Sequence, residues 1–405
     1  MVLTGQVLGV VMVFTLFLIF LHVFRRDYYR SVNSLSLLFT FIAVFPAITG
    51  LMVSHNFFSV YLVPYLLVPI FVRVFMDSRT AFVTHVTTVL LSSLALHNPY
   101  EFILLQVFAG QAAIFSLHEV SNRSQLLRVA VVATVAQLCF SLSYDLMQGL
   151  TLRQLDLSHY TYLVANGVML LFAYPMMYVI ERLFGFTSSI TLIELSDTNN
   201  PLLQRMSKEA QGTFNHSMQV ANLAAEVAGK IGAKKQLVRT GALYHDIGKI
   251  TNPAFFTENQ SGTNPHDQLS EEQSAQVIIG HVTEGGRLAE KHHLPRLIRD
   301  FIYTHHGTNK VKYFYIQYCN KHPGEAVDER LFTYPGPNPF TREQAILMMA
   351  DAVEATSRSL KTVTEESLRE MVDRIIDDMV REGNFAAAPS PSATLTRPRM
   401  CLWKA

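Results

Sequence analysis

Tyr244-His245-Asp246-Ile247-Gly248-Lys249 is the stretch from which the rest of this 405-residue chain can be understood. It sets an imidazole beside a carboxylate, a pair suited to divalent iron, manganese or zinc. A lone His-Asp dipeptide would mean little. Here it is accompanied by His216, His281, the pair His305-His306, and Asp351, spread between positions 216 and 351 at helix-sized intervals. An aspartate lying between two metals is able to ligate both, so the set points to a two-metal hydrolase of phosphate esters.

Adjacent residues on a helix differ by about 100° around its axis, so His245 and Asp246 can reach different sides of a metal pair. The simplest assignment gives one metal His216, His245, Asp246 and Asp351. The other then takes Asp246, His281, His305 and His306, with room left for a bridging water and phosphate oxygens. Two such cations make the water acidic and hold it in line with the scissile bond. Lys249, one turn after His245, is placed to steady phosphate charge. Taken singly, His281 reads as a surface or capping histidine, Asp351 as a polar residue on a helix face, and Lys249 as a snorkelling side chain. The order, with its paired histidines, is what makes a site. His266, His292, His293 and His322 do not fit it and default to surface roles, although His266 borders a loop near the site.

Around these residues the apolar pattern has a helical period. Val220, Leu223, Ala224, Val227 and Ile231 share one face of 217–231, and 236–247, 270–290, 295–305, 341–360 and 363–382 read the same way. No alternating β-branched run suggests a sheet. Segments 251–268 and 307–340 carry the Pro, Gly and Asn of loops. An all-α domain is expected, followed by a Pro/Ser/Ala-rich stretch, 386–405, expected to be disordered.

The N-terminal half differs in kind. Hydrophobic residues make up 49% of the chain and charged ones 16%, with most of the charge after residue 184. Seven stretches are apolar enough to cross a bilayer: 3–24, 35–54, 57–76, 80–97, 101–118, 129–149 and 160–183. Arg25, Arg26, Arg30, Arg79, Arg123, Arg128 and Arg182 fall in alternate loops, so the positive-inside rule puts the N-terminus outside and everything after 184 in the cytoplasm. The first stretch lacks a basic segment before it, unlike a signal peptide. Polar residues within the stretches (His85, Gln106, Gln111, Asp145, Asn166) are read as interhelical hydrogen-bonding or interfacial groups. The net charge of +1 argues against binding a nucleic-acid polymer. Cys139, Cys319 and Cys401 are odd in number and far apart, which excludes a disulfide framework.

Taken together, these residues resemble the HD-domain metal-dependent phosphohydrolases, and more narrowly the seven-transmembrane HD family. The resemblance runs over nearly all of 1–385, through 192–196, 200–203, Glu209-Ala-Gln-Gly-Thr-Phe-Asn-His-Ser217, 244–249, 264–270, His305-His-Gly-Thr308 and Met349-Ala-Asp-Ala-Val-Glu-Ala355. It implies a seven-helix membrane domain over 1–184, a linker and entry helix over 185–210, and an HD domain over 211–385. It implies metal ligands at His216, His245, Asp246, His281, His305, His306 and Asp351, and two ions that are iron or manganese. The implied activity is hydrolysis of cyclic di-AMP to the linear dinucleotide pApA, by a multi-pass protein of the bacterial inner membrane; a homodimer is allowed but not required. Two departures stand out. Relatives commonly carry a large extracellular domain ahead of the spans, so a shortened form or a fragment is expected here, and they continue past 383 with a further helix.

Three rival readings compete with this one. Cyclic di-GMP phosphodiesterases of the HD-GYP type follow the paired histidines with Gly-Tyr-Pro, whereas Gly307-Thr308-Asn309-Lys310 follows them here. A nucleotide-binding receptor without turnover would be favoured by lost ligands, and none is lost. A transporter would need a substrate site in the spans, and none is evident.

Overall fold

The computed structural model describes residues 2–117, 123–324, 326–360 and 364–388. It divides into two compact units, Met1–Ile190 and Thr191–Ala405.

The first unit is a bundle of α1 (Val2–Phe24), α2 (Arg26–Arg30), α3 (Val32–His55), α4 (Leu67–Phe75), α5 (Ser78–Ser93), α6 (Pro99–Ser116), α7 (Arg123–Met147), α8 (Leu157–Leu170) and α9 (Ala173–Phe184). Among the described residues three helices, Leu3–Phe24, Val32–His55 and Ser124–Met147, are long and apolar enough to cross a membrane, and up to four spans result if α8 and α9, bent by 52°, count as one. The other expected spans depart from that pattern for local reasons. The stretch 57–76 is interrupted, with a 3-10 turn at Val60–Leu62 and a nine-residue helix after it. Pro64, which lies between them, cannot donate a helical hydrogen bond. The stretch 80–97 forms the 16-residue α5, which packs against α1, α3, α4 and α6 and so buries polar residues as well as apolar ones. Two of its hydroxyls are satisfied within the helix: Thr88 donates to the Thr84 carbonyl and Ser92 to that of Thr88, both at 2.8 Å. Small side chains of this kind let neighbouring helices approach closely.

The polar groups in this unit cross-link it, as expected. His85 Nε2 donates to the Gln106 carbonyl at 2.8 Å, and Tyr160 donates to Asp145 at 2.7 Å. Asn166 donates to the Tyr61 and Val63 carbonyls, supplying donors where the 57–76 stretch breaks.

After the short α10 (Ser189–Leu195), the second unit continues with α11 (Pro201–Glu209), α12 (Gln211–Lys230), α13 (Lys235–Tyr244), α14 (Glu271–Lys291), α15 (Arg296–Thr304), α16 (Lys312–Lys321), α17 (Arg342–Ser357) and α18 (Glu365–Arg381). It is all-helical, and a single antiparallel bridge, Lys310 with Thr333, is the β pairing among the described residues. The helix starts follow from capping chemistry. Ser270 with Gln273 opens α14, and Thr341 with Gln344 opens α17, each a reciprocal capping box. The face read from the sequence is the one that packs: Val220, Ala224 and Val227 are fully buried in the core, with Leu223 and Ile231 against its edge.

Four boundaries differ from expectation. α12 begins at Gln211, which places His216 on the helix. α13 stops at Tyr244, so the His-Asp pair follows the helix and a 3-10 segment, Ile247–Thr251, continues from it. The expected loop 307–340 contains α16. At the C-terminal end, Phe385 and Ala388 are buried, so the part of the expected tail at 386–388 is a packed turn; 389–405, with Cys401, lie outside the described residues.

A candidate dinuclear metal centre

Five helices converge to make the site. α12 supplies His216, the end of α13 supplies His245 and Asp246, α14 supplies His281, the end of α15 supplies His305 and His306, and α17 supplies Asp351. Two glycines permit the convergence. The 3-10 segment after Asp246 crosses α14 so closely that a Cβ on Gly248 would lie 1.9 Å from the His281 carbonyl oxygen. A Cβ on Gly212 would likewise lie 1.8 Å from the Glu258 carbonyl oxygen, at the point where α12 meets the turn Thr257–Asn259. That junction is tied by Thr213, which receives a hydrogen bond from Asn259 and donates one to Glu258 at 3.0 Å.

The donor atoms fall into two groups, each with ligand atoms within 4.8 Å of one another: His216, His245 and Asp351 in one, Asp246, His281, His305 and His306 in the other. Asp246 faces both. Its Oδ2 lies 3.3 Å from His245 Nε2 and 3.7 Å from His216 Nε2, and its Oδ1 lies 3.3 Å from His281 Nε2 and 3.5 Å from His305 Nε2. Asp351 Oδ1 sits 2.9 Å from His216 Nε2 and 3.6 Å from His245 Nε2. All seven residues expected from the sequence are therefore brought together.

Three imidazoles are oriented in the same way. His245, His281 and His305 each donate Nδ1–H to the carbonyl three residues earlier (Ala242, Ile278, Ile302) at 2.6, 2.5 and 2.8 Å. Their Nε2 atoms are left to face the centre, the arrangement that fixes ring and tautomer in metal sites. His216 differs in that its Nδ1 meets Glu354 Oε2 at 2.5 Å. His306 is half-buried and stacks on Tyr334, ring centroids 4.3 Å apart.

The residues fit a metal pair on their own chemistry. His245 Nε2 and Asp246 Oδ1 are buried without a hydrogen-bond partner. Such atoms are costly to leave unpaired, and imidazole with carboxylate is a natural donor set for divalent ions.

Neighbouring charges compete with burial at these groups. Burial opposes ionisation of Asp246, but Lys249 and His245 outweigh it and hold the carboxyl well below its usual range. Asp351 is held low against burial by His216 and His245. Burial likewise opposes charge on His216 and His245, but hydrogen bonds donated to Asp351 and Glu354 push His216 up to about 9, and Asp246 with Asp351 push His245 up to about 10. His305 and His306 go the other way, lowered by burial and, for His306, by the neighbouring His305 and His281.

Lys249 lines the same cavity, which measures about 410 Å³. Its ammonium is held by Asp246 Oδ2 at 2.8 Å and Glu258 Oε1 at 2.9 Å, and these two carboxylates overcome burial and raise its pKa. Glu258, Glu354 and Tyr334 were missed in the sequence. Glu354 had a signal, since it lies one helical turn after Asp351; Glu258 and Tyr334 arrive from loops and had none. Of the histidines set aside, His292 and His293 are exposed, while His266 is half-buried, donating Nε2–H to the Phe255 carbonyl at 2.9 Å.

Residues 1–188 match the family described as 7TM receptor with intracellular HD hydrolase, and 213–356 match the HD domain. The chain belongs to this seven-transmembrane HD family. It is a membrane protein, and HD domains are metal-dependent hydrolases, in keeping with the donor cluster. Among its relatives is the cyclic-di-AMP phosphodiesterase PgpH of Listeria monocytogenes, 34% identical over 88% of this chain and 49% of that protein. PgpH of Bacillus subtilis is 31% identical over 88% of this chain and 51% of its own length. The chain thus spans about half the length of these curated relatives. A crystal structure of the Listeria PgpH HD domain in complex with cyclic-di-AMP superposes with a TM-score of 0.49, at 41% identity over 51% of this chain and 94% of that one.

Proposed function

We propose that this chain is a membrane-bound phosphodiesterase that opens cyclic di-AMP at one phosphodiester to give pApA. The observation that carries the reaction type is Asp246, whose two oxygens face two separate groups of imidazole and carboxylate donors. On this reading His216, His245, Asp246 and Asp351 hold one divalent ion, and Asp246, His281, His305 and His306 hold the other, manganese or iron. When bound, such a pair supplies Lewis acidity toward the phosphate and toward the attacking water.

The protein's own part is orientation and charge. Backbone carbonyls aim three imidazoles, and Glu354 aims a fourth. Lys249 remains protonated between Asp246 and Glu258, so it offers charge to a phosphate rather than acting as a base. The adenine preference rests on family membership, because no residue of the site reads a base by geometry alone.

The same reading assigns 1–184 to a seven-span membrane domain, 185–210 to a linker and entry helix, 211–388 to the HD domain with its closing turn, and the residues after 388 to a tail. The N-terminus lies outside and the HD domain in the cytoplasm, at the bacterial inner membrane, where the substrate is met. The test is to measure kcat/KM for cyclic di-AMP and cyclic di-GMP on the full chain in detergent with manganese, identifying the products. At least a tenfold preference for the adenine compound, with pApA formed, is expected. Equal rates, or a preference for guanine, would reject the substrate while leaving the two-metal chemistry standing.

A further inference from the structure

One face of α17 runs through the cavity from its floor to its mouth. Asp351, Glu354, Ala355 and Arg358 follow at i, i+3, i+4 and i+7, and all four line it. Seven residues of helix rise by about 10 Å. The two oxygens of Glu354 are divided between the ends of this stripe. Oε2 takes the Nδ1–H of His216 at 2.5 Å, and Oε1 takes Nε–H of Arg358 at 2.9 Å and its Nη2–H at 2.5 Å. Glu354 is buried, whereas the Arg358 side chain is 42% exposed. Ala355, on the same face between them, is exposed.

A guanidinium carries five N–H donors in a planar fork, and its bond to Glu354 uses only the donors on one edge. Among the described residues the remaining donors meet no other hydrogen-bond partner, and such a fork matches a phosphate bidentately. Lys249, which also lines the cavity, is already committed to two carboxylates. A cyclic dinucleotide has two phosphodiesters, and only one is cut. We propose that Arg358 grips the phosphodiester that is not cut, so that the site takes a doubly anionic ring in preference to a single diester. Glu354 holds the guanidinium in place for this, which makes Arg358 a specificity-determining residue fixed to the same carboxylate that aims His216. The inference rests on the cyclic-dinucleotide reading above.

The test compares two substrates on the full-length protein in detergent: cyclic di-AMP, with two phosphodiesters, and bis(p-nitrophenyl) phosphate, with one. For Arg358→Gln, KM for the cyclic dinucleotide should rise at least tenfold, while kcat/KM for the single diester falls less than threefold and metal content is retained. Arg358→Lys should fall between, because charge is kept and the fork is lost. Equal losses on both substrates would overturn the proposal and mark Arg358 as a positioning residue acting through Glu354 and His216. So would a variant unimpaired on both substrates. Wild-type protein that cuts the single diester but no cyclic dinucleotide would instead overturn the reading beneath it, and this inference with it.

Discussion

Asp246 is 2% exposed and lies between two donor groups, so its replacement removes a partner from both at once. Asp246→Ala should abolish turnover and lower the metal content of purified protein from close to two ions, whereas His216→Ala and His306→Ala should each weaken one position. Full activity in Asp246→Ala would reject the site. Glu354→Gln keeps the shape but loses the charge that aims His216, and should reduce metal affinity or kcat by about 10- to 100-fold. Metal binding should also depend on pH in a defined direction. With no metal, His216 holds its proton up to about 9 and His245 up to about 10. An arriving ion must displace those protons, so affinity rises with pH through the neutral range and levels off above those values. Titration with a metal-sensitive dye at pH 6.5, 7.5 and 8.5, alongside measured proton release, checks this; a flat profile would contradict it. The seven donors were legible in the sequence because imidazole and carboxylate declare their chemistry by type. Glu258 and Arg358 were not, because a Glu or Arg acquires such a role only through the group it meets across the fold.

Gly248 makes a prediction at the level of elements. The 3-10 segment Ile247–Thr251 passes over α14 with no room for a side chain, so Gly248→Ala must push the two apart and with them Asp246 and His281. Overpacking of this kind costs about 1–3 kcal/mol, and the donor geometry is lost with it. Thermal unfolding and kcat/KM on the full-length protein should both fall. Gly280→Ala, on the same helix, is the control: its Cβ would meet nothing within 4 Å, and the change should be neutral or stabilise by up to about 1 kcal/mol. Most helices were legible within a few residues where a capping pair marks the start, as at Ser270 and Thr341. The end of α13 was not, because Ile247, Gly248 and Ile250 continue an apolar run and no helix breaker precedes them. The close passage over α14, a tertiary contact, coincides with the switch to a tighter turn.

For the whole molecule, the arginine pattern gives a topology that reporter fusions can test. Fusions after residues 30, 55, 79 and 210 should read inside, outside, inside and inside. An outside signal at 210 would part the hydrolase from a cytoplasmic nucleotide. The count of spans was less legible than their existence. Hydropathy identifies helices that face lipid, such as α1, but undervalues α5, whose surroundings are other helices and whose buried residues include Thr84, His85, Thr88 and Ser92. The bracing of His245, His281 and His305 by carbonyls of their own helices has a mechanical side as well. Each ring is stiff with respect to its helix, so no rotamer is free to absorb a displacement. A slide of α13, α14 or α15 by one ångström would carry its donor nitrogen by the same amount, detuning the cluster without unfolding anything. Nudging a single rod is then enough to change the spacing of the donors.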